Sequence, residues 1–216
     1  MKKRVWICCI LFTLLFAAPP AQARPIMNFF QRTRYGQLAP YENLVYHYAI
    51  DIYEGFRMYS EEQLDQIWAT TEFEEGEDIV YDFRLWASPD QNYHVEIQVK
   101  EQTYASFEEE VAKAPDYITQ LAPAMKEKGY TNIRQLHEGI LRQTPEGEML
   151  EIAYAMTAPL IESAAVDIIT VYYDCYYEDV EYVFSITAYN GDYETAQSLL
   201  DTMIQTVRIT PSGRFI

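Results

Sequence analysis

Three histidines and one cysteine are the side chains here best suited to proton transfer or nucleophilic attack. His47, His94 and His137 are the only imidazoles, and Cys175 is the only thiol beyond the N-terminal apolar run. A working nucleophile needs a base within hydrogen-bond reach, and families that build one carry a local signature for it. No Gly-x-Ser-x-Gly elbow and no Ser-x-x-Lys occurs, and the histidines fall on three separate predicted strands with no fixed spacing to a serine or to Cys175. No catalytic residue is assigned on this pattern. Cys175 lies within Val171-Tyr172-Tyr173-Asp174-Cys175-Tyr176-Tyr177, a strand pattern that predicts a buried, inert thiol.

Metal and cofactor signatures are equally thin. There is no His-Glu-x-x-His helix, no paired-cysteine zinc spacing and no Asp-x-Asp-x-Asp-Gly calcium loop, so no metal ligand is assigned. The acidic runs Glu72-Glu74-Glu75-Glu77-Asp78, Glu108-Glu109-Glu110 and Glu178-Asp179-Glu181 would at most bind calcium weakly, the first aided by a turn at Gly76. Charge runs in loops are more commonly just solvated. Glycine-rich phosphate loops are absent, so no cofactor is expected.

The aromatic content offers the remaining candidate site. Of the 19 tyrosines, Tyr172, Tyr173, Tyr176, Tyr177 and Tyr182 crowd the tip of one predicted hairpin. Adjacent strand residues face opposite ways, so neither Tyr172 with Tyr173 nor Tyr176 with Tyr177 can enter one core. Some hydroxyl ends must reach the surface or a covering helix. The ordinary reading is a set of sheet tyrosines beneath helices; the functional one is an exposed platform for a protein or glycan ligand.

Charge narrows the partner. The chain has 33 acidic and 16 basic residues, a formal charge of −17, which repels nucleic acid and anionic headgroups. Cations, basic proteins and basic peptides remain compatible. The blander reading is that the charge only keeps the protein soluble.

Residues 1–23 read as a secretory signal peptide: Lys2, Lys3 and Arg4, an apolar run from Val5 to Ala18, then Ala21-Gln22-Ala23. The run is short for a membrane span, so no stable membrane insertion is expected after cleavage. Cleavage would bring the formal charge to −20 and put the protein outside the cytoplasm, secreted or in the cell envelope. Residues 24–40, with Arg24, Arg32, Arg34, Phe29, Phe30 and Tyr35 but no acidic residue, read as an extended basic arm. One domain is expected over residues 41–209, with a short tail at 210–216.

Within that domain the pattern is strands plus two long amphipathic helices. Tyr93, Val95, Ile97 and Val99 alternate with His94, Glu96, Gln98 and Lys100, which predicts a half-buried strand with one wet face. A capping box at Ser106-Phe107-Glu108-Glu109 opens a helix whose stripe runs Phe107, Val111, Ala114, Ile118, Leu121 and Met125. Pro115 and Pro123 predict a bend in it. Asp192 caps a last helix carrying Ala196, Leu199, Leu200, Met203, Ile204 and Val207. Each helix has one apolar face, so the two should cover opposite faces of a mostly antiparallel sheet in an α+β domain.

Three stretches then carry a family resemblance: Ile52-Tyr53-Glu54-Gly55-Phe56-Arg57-Met58, Lys128-Gly129-Tyr130-Thr131-Asn132-Ile133, and Tyr182 to Thr187 with Leu199 to Ile209. With their element order over residues 42–209, the chain resembles the PsbP-like superfamily. That group includes Mog-type Ran-binding proteins, DcrB-like bacterial exported proteins and the PsbP subunit of photosystem II. The resemblance implies an α/β/α sandwich around a central antiparallel sheet, and a non-catalytic binding or accessory role. It carries no site residue to this chain. The function expected is an exported protein engaging a basic protein segment or an envelope polymer. A carboxylate-based extracellular hydrolase and a self-associating structural envelope protein stay open as alternatives.

Overall fold

The computed structural model describes residues 35–70, 80–159 and 165–210. The expected signal segment 1–23, most of the arm, the first acidic run and most of the tail lie outside the described residues.

An eight-stranded antiparallel sheet forms the centre. Its order is β3 (Arg57–Met58), β4 (Val80–Ala87), β5 (Tyr93–Glu101), β10 (Val180–Tyr189), β9 (Val166–Tyr177), β8 (Gly147–Ala158), and then β6 (Thr131–Gln135), with β7 (Ile140–Thr144) also on β8. The short strands β6 and β7 share that last edge, one along each half of β8. A second sheet of β1 (Leu38–Asn43), β2 (Tyr48–Tyr53) and β11 (Arg208–Ile209) lies beside it. The last residues expected in the basic arm, Leu38 to Pro40, are therefore part of β1, and Tyr35 is buried.

Helices cover both faces, as the amphipathic stripes require. Helix α4 (Tyr193–Ile204) is capped by Asp192, whose side chain accepts the Thr195 amide. Its Ala196, Leu199, Leu200, Met203 and Ile204 are fully buried in one core with Val95, Ile97, Phe184, Ile186 and the second sheet. Each of the leucine, isoleucine and methionine side chains contributes about 1.5–3 kcal/mol when withdrawn from water. On the other face lie α1 (Glu61–Thr70), α2 (Phe107–Lys113) and α3 (Tyr117–Glu127).

The predicted bend is a 3-10 turn over Ala114–Asp116, with Pro115 placed at its start, where a missing amide hydrogen is least costly. Pro123 lies inside α3 on its exposed side. The buried stripe is Ala114, Leu121 and Met125 together with Tyr117, while Phe107, Val111 and Ile118 are only half-buried. Gly139 closes the β6–β7 link at φ +94, and a Cβ there would stand 2.7 Å from the Ala114 Cβ. Only glycine lets the bent helix lie this close to the sheet edge.

One expectation needs correction. The face of β5 that carries His94, Glu96, Gln98 and Lys100 is not wet: all four are at most 5% exposed. His94 lies beside Tyr59 and Tyr189, with ring centroids 6.2 and 5.1 Å away. Central position in the sheet, beneath the α1–α3 layer, overrides the alternation that would put this row in water.

Candidate functional site

One end of the large sheet concentrates acid. The register places Glu101, the β9–β10 turn at Glu178-Asp179 and the β7–β8 turn at Pro145-Glu146 together at this end. Gln102 ties the loop after β5 to that turn by donating to the Glu178 carbonyl at 2.8 Å. The loop leads into α2, whose N-cap Ser106 accepts the Glu109 amide, so Glu108 is exposed at the same end. Glu146, Glu148, Glu178 and Asp179 are all exposed. The cations nearby are held in ion pairs: Lys113 by Glu109, Arg142 by Glu151, and Lys100 by Glu181.

Beneath this rim three carboxylates meet in the interior. Glu110 of α2, Asp174 of β9 and Glu181 of β10 each place an oxygen within 4.8 Å of the others, and none is more than 1% exposed. Lys100 Nζ lies 2.6 Å from Glu181 Oε1 and donates to Thr103 Oγ1 at 3.0 Å. The Thr103 amide donates to the other Glu181 oxygen at 2.7 Å. No backbone amide and no basic side chain among the described residues bonds the oxygens of Glu110 or Asp174; the two carboxyls instead lie within hydrogen-bond reach of each other, and the Tyr176 hydroxyl borders Glu110. Burial pushes Glu110 up to about 7 against its hydrogen bond with Asp174, with the Glu181 charge adding to the rise. Burial and the neighbouring Glu110 charge raise Asp174 well above the usual range. Further along β5, burial pushes Glu96 up to about 8 against the Gln98 hydrogen bond and the Lys100 charge.

A second carboxylate centre is built in the opposite way. Glu151 of β8, 0% exposed, accepts from Arg142 Nε at 2.6 Å, Tyr173 at 3.1 Å, Tyr193 at 2.8 Å and Gln197 at 3.0 Å, with His137 Nε2 also 3.0 Å away. Burial alone would raise its pKa, but the hydrogen bonds from His137, Arg142 and Tyr193 outweigh it and hold the carboxyl down at about 2. Tyr173 also bonds Asp201 of α4. This saturated group fastens β7, β8, β9 and α4 to one another.

The five candidate tyrosines do not share one surface. Tyr172 is buried against Tyr117 of α3, ring centroids 5.6 Å apart, while Tyr173 points through the opposite face to Glu151 and Asp201. The opposed facing expected of neighbours thus sends one hydroxyl to a covering helix. Tyr182 is buried and donates to the Tyr46 carbonyl at 3.0 Å. Tyr176 and Tyr177 are half-buried at the acidic end, and the Tyr176 hydroxyl accepts the Tyr104 amide at 3.1 Å.

The other sequence candidates are dispersed. His47 lies in the β1–β2 turn at φ +57, His94 in the buried row of β5, and His137 beside Glu151. Cys175 is buried, and loss of hydration pushes its thiol well up, so the expected inert thiol is what the fold builds. Of the acidic runs, the first lies outside the described residues. The other two contribute their last members, Glu110 and Glu181, to the buried centre. Asp174, Lys100 and Glu151 were not singled out from sequence. The one legible signal was Asp174, a lone carboxylate inside an aromatic strand. At the far end of the sheet a groove of about 530 Å³ is lined by Asn132, Arg134, Met156, Thr157, Asp167 and Ile169. Its Asp167 is already bonded to Thr157 at 2.8 Å.

No family model and no curated protein matches this chain. Among solved structures it is similar to the cyanobacterial PsbP (CyanoP) of Synechocystis, at 9% identity over 80% of this chain and 92% of that one, TM-score 0.47. It is similar to the Saccharomyces cerevisiae Ran-binding protein Mog1p at 11% identity, covering 83% and 99%, TM-score 0.46. LpqN, involved in cell envelope biogenesis of Mycobacterium tuberculosis, matches at 11% identity, covering 87% and 100%, TM-score 0.43. The first two are of the kinds named by the sequence resemblance. No helix among the described residues is long and apolar enough to cross a membrane.

Proposed function

We propose that this is an exported, non-catalytic accessory protein that binds a basic protein segment at the acidic end of its large sheet. The observation that carries the reading is the grouping of Glu101, Glu108, Glu146, Glu148, Glu178 and Asp179 around one end, while the nearby cations are spent in ion pairs. Like charges brought together by separate turns raise the local potential and steer a cationic partner to that end. Tyr176 and Tyr177, half-buried at the same rim, would give the aliphatic stems of lysine and arginine an aromatic surface to lie on.

A non-catalytic role is supported by how the reactive groups are held. Glu151 is saturated by donors, His94 is lowered by burial to about 4 and lies under the helices, and Cys175 is a buried thiol. A carboxylate hydrolase would need two converging carboxyl groups open to a cleft. The three carboxylates that converge at the acidic end are interior, and the groove lies at the other end.

Calorimetric titration with a lysine- and arginine-rich peptide tests this directly. Binding is expected to weaken steeply as salt is raised. The triple variant Glu146→Lys, Glu178→Lys, Asp179→Lys is expected to lose at least about tenfold in affinity, roughly 1.4 kcal/mol. Reversal of Glu127 and Glu194, away from this end, is expected to change it little. Equal loss in both variants, or binding indifferent to salt, would refute the assignment.

A further inference from the structure

The buried carboxylate centre carries an inference separate from the basic partner. We propose that Glu110, Asp174 and Glu181 hold one calcium ion beneath the acidic end of the sheet. Three observations converge. The first is geometric: one oxygen of each residue lies within 4.8 Å of the others. Two ligands each about 2.4 Å from a shared calcium ion can be at most about 4.8 Å apart, so the three oxygens can reach one ion. A buried site built wholly of protein oxygens suits calcium better than magnesium, which gives up its water reluctantly.

The second is the state of the ligands. Neither carboxyl of Glu110 and Asp174 is bonded by a backbone amide or a basic side chain among the described residues, although the two residues are 1% and 0% exposed. The Tyr176 hydroxyl borders Glu110, and the Glu110 and Asp174 carboxyls lie within hydrogen-bond reach of each other, but one phenol proton and one shared proton cannot satisfy four buried oxygens. A buried carboxylate without a partner is costly enough that native folds pair it, protonate it or give it to a metal.

The third is charge. With all three carboxylates ionised, the ammonium of Lys100 leaves two negative charges uncompensated, and one divalent cation restores the balance. Lys100 enters the centre from β5, 2.6 Å from Glu181 Oε1 and 3.0 Å from Thr103 Oγ1. An all-oxygen set selects a hard cation over zinc or copper. The ion would join α2 to β9 and β10, three elements that otherwise meet here through repelling groups.

The test uses the purified protein after exhaustive chelation. One calcium per chain should bind in calorimetry, and the melting temperature should rise by several degrees in calcium over chelator. Asp174→Asn should abolish both responses. Glu178→Gln with Asp179→Asn, which removes carboxylates from the exposed rim only, should retain both. Where Asp174→Asn fails to fold, Glu110→Gln serves in its place. Absence of stoichiometric calcium and of any melting shift in the unaltered protein would overturn the proposal and leave the cluster to a shared proton. A response retained by Asp174→Asn or Glu110→Gln and lost in the rim variant would overturn it too, by moving the ion to the surface.

Discussion

Replacement of Glu151 by alanine is expected to destabilise the protein by about 3–5 kcal/mol, the range for removing one partner of a buried charge network. The carboxylate is the common acceptor for Arg142, Tyr173, Tyr193, Gln197 and His137. Without it, five polar groups from four parts of the fold lose their acceptor, and the guanidinium loses its counter-charge. Urea denaturation at neutral pH measures the loss. Glu151→Gln keeps the volume and removes the charge, so it should fall between the two. The same network sets a pH dependence. The carboxyl is held at about 2 in the folded state against about 4.3 in an unfolded chain. Its contribution is therefore complete above the unfolded value and is lost as pH falls through the folded one. The difference corresponds to about 3 kcal/mol, which should be missing from the acid limb of the Glu151→Gln stability curve.

Lys100→Met is expected to cost a similar amount, about 3–5 kcal/mol at pH 8, for the reverse reason. Lys100 is buried with 1% exposure and is the cation that faces Glu110, Asp174 and Glu181. Methionine fits the space but leaves three interior carboxylates without it. Raised carboxyl pKa values work opposite to that of Glu151. Glu110, at about 7 when folded, is protonated more readily in the native state than in the unfolded chain. Its favourable contribution is present at acid pH and is lost as pH rises through 7. Removing the ammonium moves that loss to higher pH. The gap between Lys100→Met and the unaltered protein, measured by denaturation in chelator, should thus narrow markedly from pH 8 to pH 5. A gap independent of pH would show that Lys100 matters only for its packing.

The helices were readable because local chemistry and tertiary burial agree there. In α4 the Asp192 cap and the Ala196, Leu199, Leu200, Met203, Ile204 spacing specify the start and the inner face together, and all five side chains are buried. Pro115 announced the break between α2 and α3 in the same way. The second sheet was not readable, since β11 is two residues that gain strand geometry only by pairing with Tyr48 and Ala49 far back in the chain. The polar row of β5 misled for a related reason. Alternation says which residues share a face, but not whether that face ends under water or under a helix. The buried carboxylates were half readable. Glu110 and Glu181 end acidic runs whose earlier members lie toward water; one step along α2 turns Glu110 inward, and entry into β10 at Val180 does the same for Glu181.

Nuclear magnetic resonance of the isotopically labelled protein, titrated with a lysine- and arginine-rich peptide at low salt, tests most directly where this molecule makes its contacts. Amide shifts should be largest at Glu101, from Glu146 to Glu148 and from Glu178 to Val180, and should fade as salt is added. Shifts centred instead on Ser88 to Asn92 and Asn190 to Asp192, at the opposite end of the sheet, or no shifts at all, would contradict a binding role for the acidic end.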